Sequence, residues 1–304
     1  MKKMIALFAA ALVALLPAAA AVENVPADAP TETKTYSLDH FDALEVSWIY
    51  RVDLRQSATW KVEVEAPDFV MPYLQVKVRG DRLVLGVSGL PGDVRRRLER
   101  GSYRVHASVA MPKLTKVEMS GASHLESDGS FQSNDFEMEL SGATSLRGLQ
   151  LSADYARIEC SGASKFQLAG TLTEARITLS GAAKGNWTGD CSTLLLNQSG
   201  SAKLELTGIC NEARVELSAA SHLLMKGSLS ALKLSGSGAA KADLLDCPVN
   251  EARINLSGAS SARMTVLDKF GVTLSGAARC QYKAGDRLQM VETDVDRGAS
   301  LKLL

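Results

Sequence analysis

Apolar and polar residues alternate in short segments that recur along most of this chain. Each segment ends at a serine that opens a phrase of the Ser-Gly-Ala type, and that serine is taken as position 0. Position −3 is apolar in nine successive copies, which are Val117, Met138, Ile158, Ile177, Leu196, Val215, Leu234, Ile254 and Val272. Position −1 is mostly apolar and position −2 is polar. Because side chains on a β-strand point alternately to opposite faces, the pattern predicts a half-buried strand before each phrase.

The phrase occurs ten times at steps of 18 to 22 residues. Its copies begin at Ser120, Ser141, Ser161, Ser180, Ser199, Ser218, Ser237, Ser257, Ser275 and, in degenerate form, Arg297. A pair of helices with its turns usually needs more than about 30 residues, so this period excludes helical repeats. Glycine at position +1 allows a positive φ and predicts a tight turn. We expect the alanine at +2 to face inward at a narrow corner and the serine hydroxyls to bond to neighbouring backbone.

These observations predict an all-β fold in which residues 111–304 form a parallel β-helix solenoid of about ten coils of 19–20 residues. Residues 36–110 lack the phrase but alternate in the same way and are rich in aromatic residues. The open end of a solenoid exposes unpaired strands, which natural proteins cover. We therefore expect residues 36–110 to form either irregular first coils or a small β-cap.

The N-terminus has the features of a secretory signal peptide over residues 1–21, with two lysines, an apolar run and a small-residue tract. The apolar run is too short to span a bilayer comfortably, which disfavours the alternative of an uncleaved anchor. Residues 22–35 are expected to be a flexible leader. Because no second run of about 18 apolar residues follows, the sequence predicts an exported protein without a membrane anchor after cleavage.

Charge is balanced, with 34 Lys and Arg against 34 Asp and Glu, so the overall field does not indicate nucleic acid as a partner. Position +4, however, carries cations in many coils. Lys165, Lys184, Lys203 and Lys241 are the candidate contact row for an anionic polysaccharide, because stacking would repeat them about every 4.8 Å. The alternative is an ordinary solvated face whose charge is offset by neighbouring glutamates. Another envelope protein is the other candidate partner.

Five cysteines in an exported chain leave at least one unpaired. Cys191 and Cys210 each precede a repeat serine by eight residues, so they should stack in adjacent coils at a spacing that permits a disulfide. Two buried thiols are the alternative. Cys160 and Cys280 fall at predicted core positions.

Motifs for nucleophilic, phosphate-binding or metal chemistry are missing from the sequence, and no cofactor is predicted. His124 and His222 share position +4 but lie five coils apart, too far to bind one metal. The sequence therefore favours a non-enzymatic scaffold or adhesin-like binding module. The alternative is a carbohydrate-active enzyme whose site lies near Trp48 or Trp60, where the aromatic segment meets the first coils.

The exported leader, the opening alternating strands, the Met-Pro-Lys-Leu segment at 111–114 and the repeated Ser-Gly-Ala-Ser phrase resemble the auto-transporter adhesin head GIN domain family. The resemblance covers residues 36 to about 300. It implies a right-handed parallel β-helix at the envelope of a Gram-negative bacterium, in the periplasm or at the cell surface, and it implies no established activity.

Overall fold

The computed structural model describes residues 30–101 and 103–304. The predicted signal peptide, residues 1–21, and residues 22–29 of the predicted leader lie outside the described residues. The end of the leader was expected to be flexible, but it forms a strand. This strand, β1 (Thr31–Tyr36), pairs antiparallel with β4 (Lys61–Pro67). Threonine at every second position of β1 favours an extended strand, and this local pattern outweighs the polar composition of the segment.

The described residues form twenty-one strands, one α-helix and one short 3₁₀ helix. In chain order they are β1 (Thr31–Tyr36), β2 (Ala43–Val46), β3 (Tyr50–Gln56), β4 (Lys61–Pro67), the 3₁₀ helix (Met71–Tyr73), β5 (Leu74–Arg79), β6 (Arg82–Val87), α1 (Gly92–Arg100), β7 (Val105–Met111), β8 (Lys116–Met119), β9 (His124–Leu140), β10 (Ser145–Cys160), β11 (Lys165–Ala169), β12 (Leu172–Leu179), β13 (Lys184–Thr188), β14 (Cys191–Gln198), β15 (Lys203–Leu217), β16 (His222–Gly236), β17 (Lys241–Leu256), β18 (Ser261–Leu274), β19 (Arg279–Ala284), β20 (Gln289–Val295) and β21 (Ser300–Leu303).

From β8 to β21 the chain is a β-solenoid of about ten turns, as the repeat predicted. Every strand pairing in this part is parallel and joins equivalent positions of successive coils. For example, Lys184 pairs with Lys203, and Lys203 pairs with His222. Within each uninterrupted run of pairs the offset is constant, so each side chain there lies above its counterpart in the coil below, and β-bulges shift the register between runs.

Inward-facing side chains form continuous apolar stacks through the solenoid. At position −3, Ile158, Ile177, Leu196 and Val215 are all buried and lie on successive coils. Trp187 is fully buried, and its indole nitrogen donates to the carbonyl of Gly170 at 3.1 Å. Burial of each aliphatic side chain contributes about 1.5–3 kcal/mol, so these stacks are the main source of stability.

The repeated phrase forms a tight turn at one corner of every coil. Gly181 has φ 64°, and a Cβ there would lie 2.9 Å from the carbonyl oxygen of Gly162 in the coil below. The prediction that position +2 faces inward is wrong: Ala182 is exposed, whereas Ala183 at +3 is fully buried. The left-handed residue at +1 turns the chain so that +2 projects outward, and alternation resumes with +3 inside.

The serine hydroxyls bond to backbone of the preceding coil, as expected, at three described positions. Ser141, Ser218 and Ser257 donate to the carbonyls of Met119, Gln198 and Gly236 at 3.3 to 3.4 Å. The same carbonyls accept the serine backbone N–H groups at 2.8 to 2.9 Å. The hydroxyls thus reinforce a ladder that the backbone already forms.

The N-terminal segment combines an extra coil with an antiparallel cap, so both of its predicted forms are present. Strands β2 and β3 form the extra coil, which pairs in parallel with β8 and β9 on one side and with β6 and β7 on the other. Beyond β6 and β7 the pairing becomes antiparallel, with β5 on β6 and β4 on β7. Helix α1 connects β6 to β7 and packs through the buried Leu98.

The extra coil has a corner turn that the sequence pattern did not reveal. Trp48 lies at the glycine-equivalent position with φ 69°, and its carbonyl accepts the N–H of Ala122 at 2.7 Å. Gly121 stacks directly on it, because a Cβ there would lie 2.7 Å from the same carbonyl oxygen. The Ser-Trp-Ile-Tyr sequence lacks both glycine and alanine but forms the same stacked turn.

Candidate ligand-binding face

Position +4 is the first outward-facing site after each corner turn, because positions +3 and +5 are buried. Lys165, Lys184 and Lys203 are exposed and occupy this site on three successive coils. His222 and Lys241 continue the alignment on the next two coils. These five residues are called the lysine row. At about 4.8 Å per coil, it extends about 19 Å.

The lysines of the row lack carboxylate contacts in the part of the chain that the structure describes. None of its lysines forms an ion pair with any residue in 30–101 or 103–304. The adjacent outward positions hold Gln167, Asn186, Glu205, Leu224 and Asp243. Asp243 itself pairs with Arg263 at 3.2 Å. Like charges about 4.8 Å apart repel by about 1 kcal/mol in water, which an anion bound across them would relieve.

A second cationic row, at position −4, lies among carboxylates. Lys116 contacts Glu137 at 2.9 Å and Glu139 at 2.8 Å, and Arg157 contacts Glu159 at 2.6 Å. The hydrogen bond from Lys116 lowers the pKa of the Glu139 carboxyl. The glutamates that were expected to offset the basic rows therefore offset the first part of this row, from Lys116 to Arg176. Arg214, Lys233 and Arg253 of the same row, like the lysines of the lysine row, form no ion pair with any described residue.

Cys191 and Cys210 are brought together as their spacing predicted. They pair in register on β14 and β15, both are buried, and their sulfur atoms lie 2.8 Å apart without a bond between them. The contact with Cys210 and burial raise the pKa of the Cys191 thiol. The disulfide stays a prediction. Cys160 and Cys280 are buried in the core, as expected.

The aromatic residues of the N-terminal segment have structural roles. The indole nitrogen of Trp60 donates to the carbonyl of Phe41 at 2.7 Å, and its ring stacks on His40 at 5.3 Å. Trp48 forms the corner turn of the extra coil. Both tryptophans are half-buried and pack against the core.

Metal-binding clusters and membrane-spanning helices are two further features by which a functional site could be recognised. Within residues 30–101 and 103–304, no group of three or more His, Cys, Asp and Glu side chains is arranged to hold a metal ion. The same residues include no helix with the length and apolar character needed to cross a membrane.

Comparisons with solved structures support the fold. A "putative adhesin" from Parabacteroides merdae superposes with a TM-score of 0.55 at 16% identity, over 90% of this chain and 96% of that one. A "putative adhesin" from Parabacteroides distasonis gives 0.56 at 14% identity, over 91% and 98%. No curated protein sequence matches.

The family comparison covers most of the chain. The sequence profile described as "Putative auto-transporter adhesin, head GIN domain" matches residues 40–189 and again residues 186–285. The two matches together include the extra coil, the cap and nearly all regular coils. The chain therefore belongs to this family.

Proposed function

We propose that this protein is a non-enzymatic, adhesin-like binding module of the cell envelope, and that it holds an anionic polysaccharide along the lysine row. The adhesin family to which it belongs suggests an exported or envelope protein, in the periplasm or at the cell surface. The observation that carries the ligand is the row of cations without carboxylate partners among the described residues. Regularly spaced anionic groups on a polymer match a regularly spaced cationic row better than a compact ligand does.

The test is to reverse the charge of the row and measure binding of polygalacturonate, with neutral dextran as the reference polymer. The variant replaces Lys165, Lys184, Lys203 and Lys241 with glutamate. Each lysine that contacts a carboxylate at about 4 Å contributes up to about 1 kcal/mol in water. We expect affinity at low salt to fall by about a hundredfold or more, and wild-type binding to weaken as salt shortens the Debye length.

The matched control makes the same charge change on the other face. It replaces Arg176, Arg214, Lys233 and Arg253 with glutamate, so both variants have the same net charge. An equal loss of binding in the two variants would show that only net charge matters and would contradict the proposal. Unchanged binding in the lysine-row variant would also contradict it. Circular dichroism verifies that both variants fold.

The alternative of a carbohydrate-active enzyme stays a prediction. Incubation of the purified protein with a panel of glycans, followed by assay of new reducing ends, tests it. Cleavage of a glycan by the wild-type protein that is lost on substitution of Trp48 or Trp60 would support the enzyme and contradict the non-enzymatic binding module.

A further inference from the structure

A cleft of about 870 Å³ lies at the end of the lysine row, where the first coils meet the cap. Small residues of two successive coils form its floor, with Ala143, Thr144 and Ser145 from one and Ala163 from the next. Long cationic side chains surround this floor. The cleft is therefore a gap in the row with a cationic border.

Strand register explains why the gap occurs at Ser145. The same strand register continues from Lys165 through Ser145, which is only 9% exposed, to His124, Arg51 and His106. Ser145 is the short side chain between His124 and Lys165, each of which is one strand spacing, about 4.8 Å, away. Its hydroxyl forms no hydrogen bond to any other residue that the structure describes. A hydrogen-bond donor thus lies between a histidine and a lysine.

A β-bulge brings a further cation to the same place. Pairing of β10 with β9 and β11 shifts between residues 146 and 149, and Gly148 in this segment has φ 72°. Bulges of this kind change the direction of nearby side chains. Arg147, which is exposed, lies directly before the glycine and on the border of the cleft.

The cleft holds like charges close together. Arg51, Arg104, Arg147 and Lys165 line it, and none forms an ion pair within residues 30–101 and 103–304. Burial lowers the pKa of His124, and the charges of Arg51 and Arg147 lower it further.

Three carboxylates also border the cleft. Asp53 contacts His106 at 2.9 Å, so its charge is engaged there. Glu65 and Glu126 are the other two, and both are exposed. The four permanent cations exceed the three carboxylates, and protonation of His124 increases the excess.

We propose that this cleft binds a single oxyanion, the carboxylate or sulfate of an acidic sugar. The hydroxyl of Ser145 donates a hydrogen bond, and Arg147, Lys165 and His124 supply the positive charge. The inference rests on the proposed function, because it places one acidic sugar of the bound polymer at the end of the lysine row. It adds a defined pocket, with its own residues, that binds the sugar acid without the rest of the polymer.

The four histidines provide site-specific probes for the test. NMR spectra of protein labelled with ¹³C-histidine are recorded during titration with glucuronate, inorganic sulfate or neutral glucose. We expect glucuronate or sulfate to shift the signals of His124 and His106, while His222 and His40 stay unchanged. A bound anion favours the imidazolium, so it should raise the pKa of His124. Affinity should accordingly be higher at pH 5.5 than at pH 8.

Two substitutions identify the binding residues. Arg147→Gln and Ser145→Ala should each weaken glucuronate or sulfate binding, by about tenfold for the arginine, because a charged hydrogen bond is lost. Lys233→Gln, at position −4 and outside the cleft lining, removes the same charge as Arg147→Gln and should leave the affinity unchanged.

The outcomes separate this inference from the proposed function. If the polymer shifts the NMR signal of His222 and neither small anion shifts that of His124, the cleft is not an anion site, but binding along the lysine row is supported. If the small anions shift the NMR signal of His124 but the protein does not bind the polymer, the cleft is supported as an anion site and the lysine row is not a polymer-binding site. Binding of an oxyanion in the cleft is also contradicted if glucose shifts the His124 signal as much as glucuronate does, or if Arg147→Gln binds glucuronate and sulfate with unchanged affinity.

Discussion

Replacing Gln198 with leucine should stabilise the protein, because this glutamine is a polar residue in an apolar stack. It lies at position −1 between Leu179 of the coil below and Leu217 of the coil above. Only 2% of it is exposed, and neither atom of its amide group has a partner among the described residues. Its backbone carbonyl accepts the N–H and hydroxyl of Ser218, and the substitution leaves both bonds possible.

The magnitude follows from the cost of the unpaired amide. Burying such a group without hydrogen bonds costs about 1–3 kcal/mol in proteins. Leucine has a similar volume, so it removes this cost without a large packing penalty. We expect Gln198→Leu to raise the free energy of unfolding by about 1–3 kcal/mol.

Equilibrium unfolding in urea measures the change as a higher midpoint at constant slope. Asn197→Leu is the matched control, because the exposed neighbour gains no burial and should change stability by less than about 0.5 kcal/mol. A folded Gln198→Leu protein with an unchanged or lower midpoint would refute the argument. An equal gain in both variants would attribute the effect to general hydrophobicity.

Three further predictions concern a turn, the cysteine pair and a charged pair. Ala219 has φ 56° at a position where most coils have glycine. Ala219→Gly should stabilise the protein by about 0.5 kcal/mol, because the strain of alanine in the left-handed region exceeds the extra conformational entropy that glycine loses on folding. A lower midpoint of unfolding in urea would contradict this. Oxidation of Cys191 and Cys210 to a disulfide should add about 3 kcal/mol, and mass spectrometry of unreduced peptides detects the bond or shows its absence. The lowered pKa of Glu139 beside Lys116 contributes stability above the carboxyl's ordinary pKa, and this is lost as pH falls through the folded pKa. Glu139→Gln should therefore lower the midpoint at pH 7 but not at pH 2, and an equal deficit at both would exclude the ionic contribution.

The regular coils could be predicted because local sequence and long-range pairing have the same period. A residue in one coil pairs with its equivalent in the next, so the spacing of the phrase gives the register directly. This is why the alignment of Lys165, Lys184, Lys203 and Lys241 was predictable before any contact was known.

The wrong direction at position +2 has a physical cause. Alanine is small enough for either face, so its recurrence does not say which way it points. The informative position is +3, where the phrase has only serine, threonine or alanine, as in Ser164 and Ala183, and where the side chain is buried.

The cleft could not be predicted, because its residues come from distant parts of the chain. Arg51, Arg104 and Arg147 meet only after the segment between β3 and β8 has folded back beside the extra coil. One signal existed in the sequence: the coils that begin at Ser120 and Ser141 have 21 and 20 residues rather than 19. In the second of these coils the extra residue forms the β-bulge at Gly148, next to Arg147 in the lining of the cleft.

The placement of the extra coil determines the order in which the molecule can assemble. Regular coils close loops of about 19 residues, whereas Ala43 must find Lys116, 73 residues further along the chain. Loop-closure entropy makes the longer search about 1 kcal/mol more costly, and β6 and β7 must also arrive on the opposite side. Folding should thus nucleate among the later coils and finish at the N-terminal end, although that end leaves the ribosome first.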